Sequence, residues 1–171
     1  MSVALALAVA GLLFQQVPRS QHASIAQRVG ITEIAISYNR PVARGRLLFG
    51  TQGIVRWGRV WHPGADSATT ISFSRDVAIQ GHDLAAGRYT LWTIPAESPQ
   101  PWTVIFSRAL GVWHTPYPGE ASDVLRITTA AEQGAHMEAL AYYFPVVTPD
   151  SALLRLHWGT TIVPIWVRPK P

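Results

Sequence analysis

The residues best suited to bind a ligand are concentrated between Tyr38 and Ser74. Five arginines, two tryptophans and a histidine lie between Glu33 and Asp66, and this interval contains no acidic residue. Guanidinium groups present planar pairs of donors that suit carboxylates, phosphates or sugar hydroxyls, and tryptophan faces stack on sugar rings or on the arginines themselves. The segment therefore predicts a cationic, aromatic-lined binding site. Its candidate residues are Tyr38, Arg40, Arg46, Trp57, Trp61, His62 and Asp66.

The same residues have a purely structural alternative. Arg40 and Arg46 would then hold a long loop together by hydrogen bonds to backbone carbonyls and to Asp66, because buried arginines are usually paired. Trp57 and Trp61 would close the end of the core. The sequence alone leaves both alternatives open.

A metal-assisted hydrolase is the alternative function. His62 and Asp66, joined in space by His114 or His157, would bind a divalent metal or activate Ser67 as a nucleophile. The chain has six histidines, but none falls in an HExxH pair, and the sequence contains neither a GxSxG elbow nor a glycine-rich phosphate loop. We therefore favour binding over catalysis and expect neither a metal nor a cofactor.

The composition is that of one domain of ordinary size. The chain has 171 residues, of which 48% are hydrophobic and 14% charged. Its formal charge of +4 comes with no recognised nucleic-acid-binding motif, so we expect no nucleic-acid partner. Cysteine is absent, which excludes disulfides and thiolate chemistry. Beyond residue 20 the apolar residues come in short runs, so we expect no transmembrane span in the domain.

An apolar run near the N-terminus indicates export. Residues 2–14 are uncharged, and the length of the run suits a signal peptide better than a membrane-spanning helix. No lysine or arginine precedes the run, which leaves three alternatives to a signal peptide that begins at Met1. They are a signal peptide whose basic start lies upstream, a retained membrane-associated tail, and an ordinary core helix. We expect residues 1–19 to be a signal peptide or apolar tail, residues 20–171 to form one domain, and the protein to be periplasmic or extracellular.

The rest of the chain alternates apolar and polar residues with a period of two, as half-buried strands do. We expect a hairpin where the turn ESPQP separates two such runs, and a turn at residues 81–83. Pro164 predicts an edge strand or a bulge. Residues 43–50 and 119–123 resemble short helical turns. We predict an all-β fold, an antiparallel β-sandwich of jelly-roll type with about nine strands and one long crossover loop in the 38–74 segment. The predicted strands lie around residues 34–38, 69–73, 77–79, 88–95, 102–107, 123–129, 136–144, 152–158 and 161–167.

Several motifs occur together in the order and approximate spacing of a known family. They are YNRPVARGRLLFG, VWHPGADSATTISF, LAAGRYTLWTIP, WTVIFS, DVLRI, and LHWG followed by TIVPIWV. Over roughly residues 20–168 the chain resembles an exported bacterial family known only as domain of unknown function 2911. The resemblance implies an exported β domain and no assigned activity. Members typically carry arginine, asparagine and glutamate where this chain has His62, Asp66 and Ser67, so the chain departs from the family pattern within its candidate site.

These observations favour a binding or interaction module of the bacterial envelope. The expected partner is an anionic or polar small molecule, a glycan or an envelope protein. A scaffold or assembly role without a small ligand is the third alternative.

Overall fold

A computed structural model describes residues 19–171, and the apolar run at residues 2–14 lies outside the described residues. The described part of the chain forms ten β-strands and one 3-10 turn, Glu120–Ser122. The all-β prediction is confirmed. The strands are β1 (Gln21–Val29), β2 (Thr32–Arg40), β3 (Thr70–Phe73), β4 (Val77–Ile79), β5 (His82–Leu84), β6 (Gly87–Ile94), β7 (Trp102–Ser107), β8 (Asp123–Thr129), β9 (Glu132–Val147) and β10 (Ala152–Pro169).

The strands form two antiparallel sheets with a shared core. The larger sheet has the order β1-β2-β3-β6-β7-β8, and the smaller sheet has the order β5-β4-β10-β9. Successive strands of the larger sheet are neighbours, except that the β4–β5 hairpin leaves it to join the smaller sheet. The antiparallel sandwich and the hairpin between β6 and β7 are therefore confirmed. Between residues 19 and 171 the chain has no helix with the length and apolar character needed to cross a bilayer.

Alternating apolar residues from both sheets fill the space between them. In β2, Ile34 and Ile36 are buried, and Ala35 between them lies on the opposite face of the sheet. In β10, Val163 and Ile165 belong to the same core cluster. Burial of each large aliphatic side chain stabilises the fold by about 1.5–3 kcal/mol. The period-two pattern of the sequence thus produces a packed core, which supports the loops at its ends.

Three strand predictions differ from the structure. Strand β1 was not among the predicted strands, because its small and polar residues bury only Val29 fully at the edge of the larger sheet. The runs at 152–158 and 161–167 form one strand, since Gly159, with φ of 60°, makes an irregularity in the pairing with β9 and not a turn. His82 begins β5, because the turn before it is made by Gln80 and Gly81, both with positive φ.

Two local predictions also need correction. Residues 43–50 do not form a helical turn, because Arg44 and Gly45 have positive φ values of 53° and 67°. The expected turn at 119–123 is present as the 3-10 turn. Pro164 is not on an edge strand, since β10 lies between β4 and β9. It falls between Ile162, where the pairing with β9 ends, and Val167, where the pairing with β4 begins, so its missing N–H interrupts neither ladder.

A long loop, residues 41–69, joins β2 to β3 and contacts both sheets. The Ala43 N–H donates a hydrogen bond of 2.7 Å to the Glu138 carbonyl of β9. Further along, Trp61 exchanges two backbone hydrogen bonds with Thr93 of β6, at 2.7 and 2.8 Å. The loop therefore passes from the smaller sheet to the larger one at one end of the core, as the prediction of a crossover loop requires.

Candidate functional site

Five aromatic side chains pack together where the long loop meets the core. Phe49 lies 6.1 Å from Trp57, 5.7 Å from Trp61, 5.3 Å from Trp102 and 6.1 Å from Trp158, measured between ring centroids. The planes of Phe49 and Trp57 differ by only 7°, whereas the other three rings meet Phe49 edge-on. Trp102 and Trp158 are buried, and Trp57 and Trp61 are half-buried. This packing holds the Trp57 ring at the boundary between core and solvent.

Backbone hydrogen bonds hold the loop on both sides of Trp57. The Gly50 N–H donates to the Val55 carbonyl at 3.1 Å, which closes the turn before Trp57. The Gly58 N–H donates to the Pro95 carbonyl at 2.7 Å, which ties the following residue to the end of β6. The position of Trp57 is therefore set by the backbone as well as by ring packing.

Trp57 borders two adjoining cavities, which we call the Trp57 groove. Their volumes are about 350 and 450 Å³, and both include Trp57, Gln133 and Thr161 in their walls. Gln133 and Thr161 are cross-strand partners in β9 and β10, so the register of the smaller sheet places them side by side. The polar residues that line one cavity only are Arg46, His136 and Thr160 in the smaller cavity and Glu97, Ser98 and Gln100 in the larger cavity.

The Arg46 guanidinium is held in one orientation by its own loop. Its Nε donates to the Ala43 carbonyl at 2.9 Å, and its Nη2 donates to the Val42 carbonyl at 2.6 Å. These bonds use the Nε hydrogen and one of the two Nη2 hydrogens. Arg46 forms no ion pair with any residue in the described part of the chain. It is a fixed cation at the edge of the groove.

The histidine of the smaller cavity, His136, is hydrogen-bonded to a carboxylate. Its Nε2 lies 2.8 Å from Oε2 of Glu138, and both side chains are exposed. Two hydrogen bonds hold the pKa of Glu138 below its usual value. The bond to His136 has the larger effect, and the bond from the Arg44 N–H to Oε1 has the smaller one. Glu138 is thus an ionised carboxylate that already has two donors.

Arg40 forms hydrogen bonds to backbone carbonyls of β9, and the structural interpretation expected both Arg40 and Arg46 to bond to carbonyls. The Arg40 side chain is half-buried, and its Nε donates to the Leu140 carbonyl at 2.9 Å. Both arginines therefore bond to backbone carbonyls as that interpretation expected. Within residues 19–171, however, no ion pair joins Arg40 or Arg46 to Asp66.

His62 lies inside the fold, with 3% of its surface exposed. Its Nε2 accepts a hydrogen bond from the Thr69 N–H, so the proton of the neutral ring is on Nδ1. Nδ1 is buried without a hydrogen-bond partner in the described part of the chain. Burial, with a smaller contribution from nearby His114, lowers the pKa of His62 to about 3. The ring is therefore neutral at physiological pH.

Tyr38 and Asp66 also lie outside the Trp57 groove. Tyr38 is buried, and its hydroxyl accepts a hydrogen bond of 3.2 Å from the Tyr142 N–H. Asp66 is half-buried with φ of 59°, and its carbonyl accepts hydrogen bonds from the N–H and from Nδ1 of His114, at 2.8 and 2.9 Å. Of the predicted residues, the structure brings Arg46 and Trp57 together in one groove and places Trp61 against it from the core side.

The surroundings of His62 and Asp66 offer little to the hydrolase alternative. Across residues 19–171, no group of three or more histidine, aspartate or glutamate side chains is arranged to hold a metal ion. Nε2 of His62 is occupied by the Thr69 N–H and is not free to coordinate a metal or to accept a proton from Ser67. We therefore centre the candidate site on Trp57.

Sequence reasoning missed the groove residues that the β-sheets supply. Gln133, His136 and Thr161 belong to β9 and β10, and Glu97 and Gln100 belong to the β6–β7 turn. They lie at least 40 positions along the chain from Trp57, and no local motif connects them to it. The one available signal was the polar pair Thr160-Thr161, which interrupts an otherwise apolar stretch.

Comparison with known proteins identifies the chain only at the level of a family. No curated protein and no solved structure matches it. A model of the family described as "Protein of unknown function (DUF2911)" matches residues 20–167, which covers all the described strands except the last residues of β10. The resemblance found in the sequence motifs is thereby confirmed, and the chain belongs to the DUF2911 family.

Proposed function

We propose that this protein is a glycan-binding module of the bacterial envelope and that the Trp57 groove is its binding site. The observation that carries the proposal is the position of Trp57 between two adjoining cavities whose walls combine apolar side chains with polar ones. A tryptophan ring offers a flat apolar face to the C–H groups of a sugar. Neighbouring amide, hydroxyl and carboxylate groups of the protein form hydrogen bonds with the hydroxyls of the sugar. The groove has such amide groups in Gln133 and Gln100 and such a hydroxyl group in Thr161.

The dimensions of the groove agree with a ligand of more than one sugar ring. Each cavity, about 350 and about 450 Å³, lies within the range of about 300–1,000 Å³ that is typical of small-molecule sites. Trp57 lies in the wall of both, so a chain of two or more rings would extend past it from one cavity to the other. A saccharide chain fits this arrangement better than a single small anion does.

The site is also organised before a ligand arrives. Phe49 stacks against Trp57, Trp102 contacts its edge at a centroid distance of 6.3 Å, and backbone bonds hold the residues around it. A binding surface with few side chains left to order loses little entropy on association. This rigidity favours recognition of a preformed polymer segment.

The proposed location outside the cytoplasm comes from the sequence. The apolar residues 2–14 and the absence of cysteine agree with export without disulfide formation. Periplasmic and extracellular proteins meet cell-wall and surface polysaccharides, so export and glycan binding support each other as proposals.

The experiment is a glycan-array screen of the purified protein followed by calorimetry on the glycans that bind. We expect Trp57→Ala to weaken binding by about tenfold or more, since the large contact area of a tryptophan makes it an energetic centre of binding sites. Trp113→Ala is the matched control, because Trp113 is 55% exposed and lines neither cavity of the groove. An array on which no glycan binds, or equal affinity of the two variants, would refute the proposal.

A further inference from the structure

Arg46 lines the smaller cavity of the Trp57 groove, and two of its guanidinium donors at the end of the group form no hydrogen bond with the described residues. Its bonds to Ala43 and Val42 occupy the Nε side of the guanidinium. Both Nη1 hydrogens and the second Nη2 hydrogen form no bond with the residues that the structure describes, and one hydrogen from each nitrogen points along the end of the group. This end is the fork that binds the two oxygens of a carboxylate in parallel.

The charge of Arg46 is not neutralised by the part of the protein that the structure describes. None of the ion pairs within residues 19–171 involves it. Glu138, an acidic residue near this end of the loop, instead accepts hydrogen bonds from His136 and from the Arg44 N–H. A cation that is fixed in orientation and has no anionic partner is well placed to bind a ligand anion.

The two cavities differ in charge. Arg46 lines the smaller cavity, and Glu97 lines the larger one on the other side of Trp57. An anionic group is attracted by the first cavity and repelled by the second, whereas a neutral sugar can donate its hydroxyls to the Glu97 carboxylate. A glycan with an anionic group at one end is therefore expected to bind in one orientation, with the anionic group in the smaller cavity.

We infer that the glycan bound in the Trp57 groove is acidic, with the carboxylate of a uronic acid paired to Arg46 and a neutral sugar on the Glu97 side of Trp57. This inference rests on the proposed function and narrows it to one ligand class. A carboxylate fits better than a phosphate monoester, which carries a charge of about −1.5 to −2, because the smaller cavity contains one guanidinium that has no ion pair with the described residues and so matches a single negative charge. Nδ1 of His136 makes no hydrogen bond with any residue from 19 to 171, so it can bond to a hydroxyl of the same sugar ring.

The test compares each acidic oligosaccharide with its own methyl ester, which has the same rings and no charge. The probes are oligogalacturonides, mannuronate oligomers and glucuronate-containing oligosaccharides, each as acid and as ester, with sulfated and neutral oligosaccharides as further arms. For at least one probe we expect the acid to bind about tenfold or more tightly than the ester, since hydrogen bonds to charged groups contribute about 1.5–3 kcal/mol. Added salt should reduce this ratio, because the groove is open to solvent.

The variant Arg46→Gln should bring the acid and the ester to similar affinities, because it removes the cationic partner of the carboxylate. Arg56→Gln is the matched control, since Arg56 is exposed in the same loop and lines neither cavity, and it should keep the wild-type ratio. Arg46 also holds its loop, so melting temperatures are compared first. If Arg46→Gln does not fold, the acid-to-ester ratio of the wild type still decides the question.

The outcomes separate this inference from the proposed function. Equal binding of acids and esters by the wild type would overturn the acidic-glycan inference and leave glycan binding in place. Binding of sulfated oligosaccharides without any uronate would overturn it in the same way. Failure of every oligosaccharide, neutral ones included, would overturn the proposed function itself.

Discussion

Nε2 of His62 accepts a hydrogen bond from the backbone N–H of Thr69, seven residues further along the chain. The Thr69 hydroxyl donates to the Pro63 carbonyl at 3.1 Å, and the Tyr142 hydroxyl donates to the same carbonyl at 2.8 Å. The segment between His62 and Thr69 is thus folded around the imidazole ring and attached to the smaller sheet. A Cβ on Gly64 would lie 2.7 Å from Cε1 of His62, so glycine is needed for this close approach. His62 acts as a structural element of the loop.

The first prediction concerns stability at low pH. The pKa of His62 is about 3 in the folded protein and 6.5 when the ring is solvated, so the unfolded state binds the proton more readily. The contribution of the neutral ring is fully present above pH 6.5 and is lost as the pH falls from 6.5 towards 3. The free energy of unfolding should decrease by about 1.4 kcal/mol for each pH unit in this window because of His62.

Urea denaturation at pH 7.5, 5.5 and 4.5 measures this dependence. His62→Gln should be less stable than the wild type at pH 7.5. Its free energy of unfolding should decrease less between pH 7.5 and pH 4.5, since the substitution removes the titrating group. His82→Gln is the control, because His82 is exposed in β5 and should leave the slope unchanged. Equal slopes for the wild type and His62→Gln would contradict the structural role of a neutral His62.

The second prediction concerns the contact between Gly159 and Leu48. Gly159 has φ of 60°, and a Cβ at this position would lie 2.7 Å from Cδ1 of Leu48. Gly159→Ala should therefore destabilise the protein through backbone strain, about 1–2 kcal/mol, and through overpacking, about 1–3 kcal/mol. Leu48→Ala, a change at a buried residue, should cost about 2–5 kcal/mol by itself.

The double variant should be more stable than the sum of the two single effects predicts, by about 1 kcal/mol or more, because removing the Leu48 side chain relieves the overpacking. Denaturant titrations of the four proteins give the coupling. Gly111→Ala combined with Leu48→Ala is the control pair, since Gly111 has a similar φ of 68° but faces open space, and its effects should add. Additive effects at Gly159 as well would show that the contact is not made.

The third prediction concerns the aromatic cluster that supports the groove. Trp102 is buried, contacts Phe49, Trp57 and Trp61, and donates from Nε1 to the Ala96 carbonyl at 3.0 Å. Trp102→Ala should lower the free energy of unfolding by about 3–5 kcal/mol. Trp113→Ala should change it by no more than about 0.5 kcal/mol, since surface substitutions seldom do more. A small effect at Trp102 would mean that the cluster does not hold the groove.

The fourth prediction concerns export. If a signal peptidase recognises the apolar run at residues 2–14, the mature protein recovered from its native host should begin between about residues 10 and 22. Mass spectrometry of the intact protein from the periplasmic or culture fraction measures this directly. Recovery of protein with an intact Met1 from the cytosol would contradict export.

The sequence by itself determined the fold class and indicated the loop that contributes to the candidate site. Alternation such as that of Ile34, Ala35 and Ile36 depends on residues two positions apart, so a strand and its buried face can be predicted locally. The concentration of arginine and tryptophan before Asp66 is likewise a local feature. The structure places two of these residues, Arg46 and Trp57, in the wall of the groove, and their role in binding stays a prediction.

Only the tertiary structure decided which side chains share a surface. His62 lies inward because a backbone N–H seven residues away and the surrounding core accommodate its neutral ring, and no composition rule distinguishes it from an exposed histidine. Gln133 and Thr161 reach Trp57 through the register of β9 and β10, which is set when the smaller sheet forms and packs on the larger one. Contacts between residues so far apart in the chain depend on the packing of the whole sandwich, and for that reason the local pattern could not predict them.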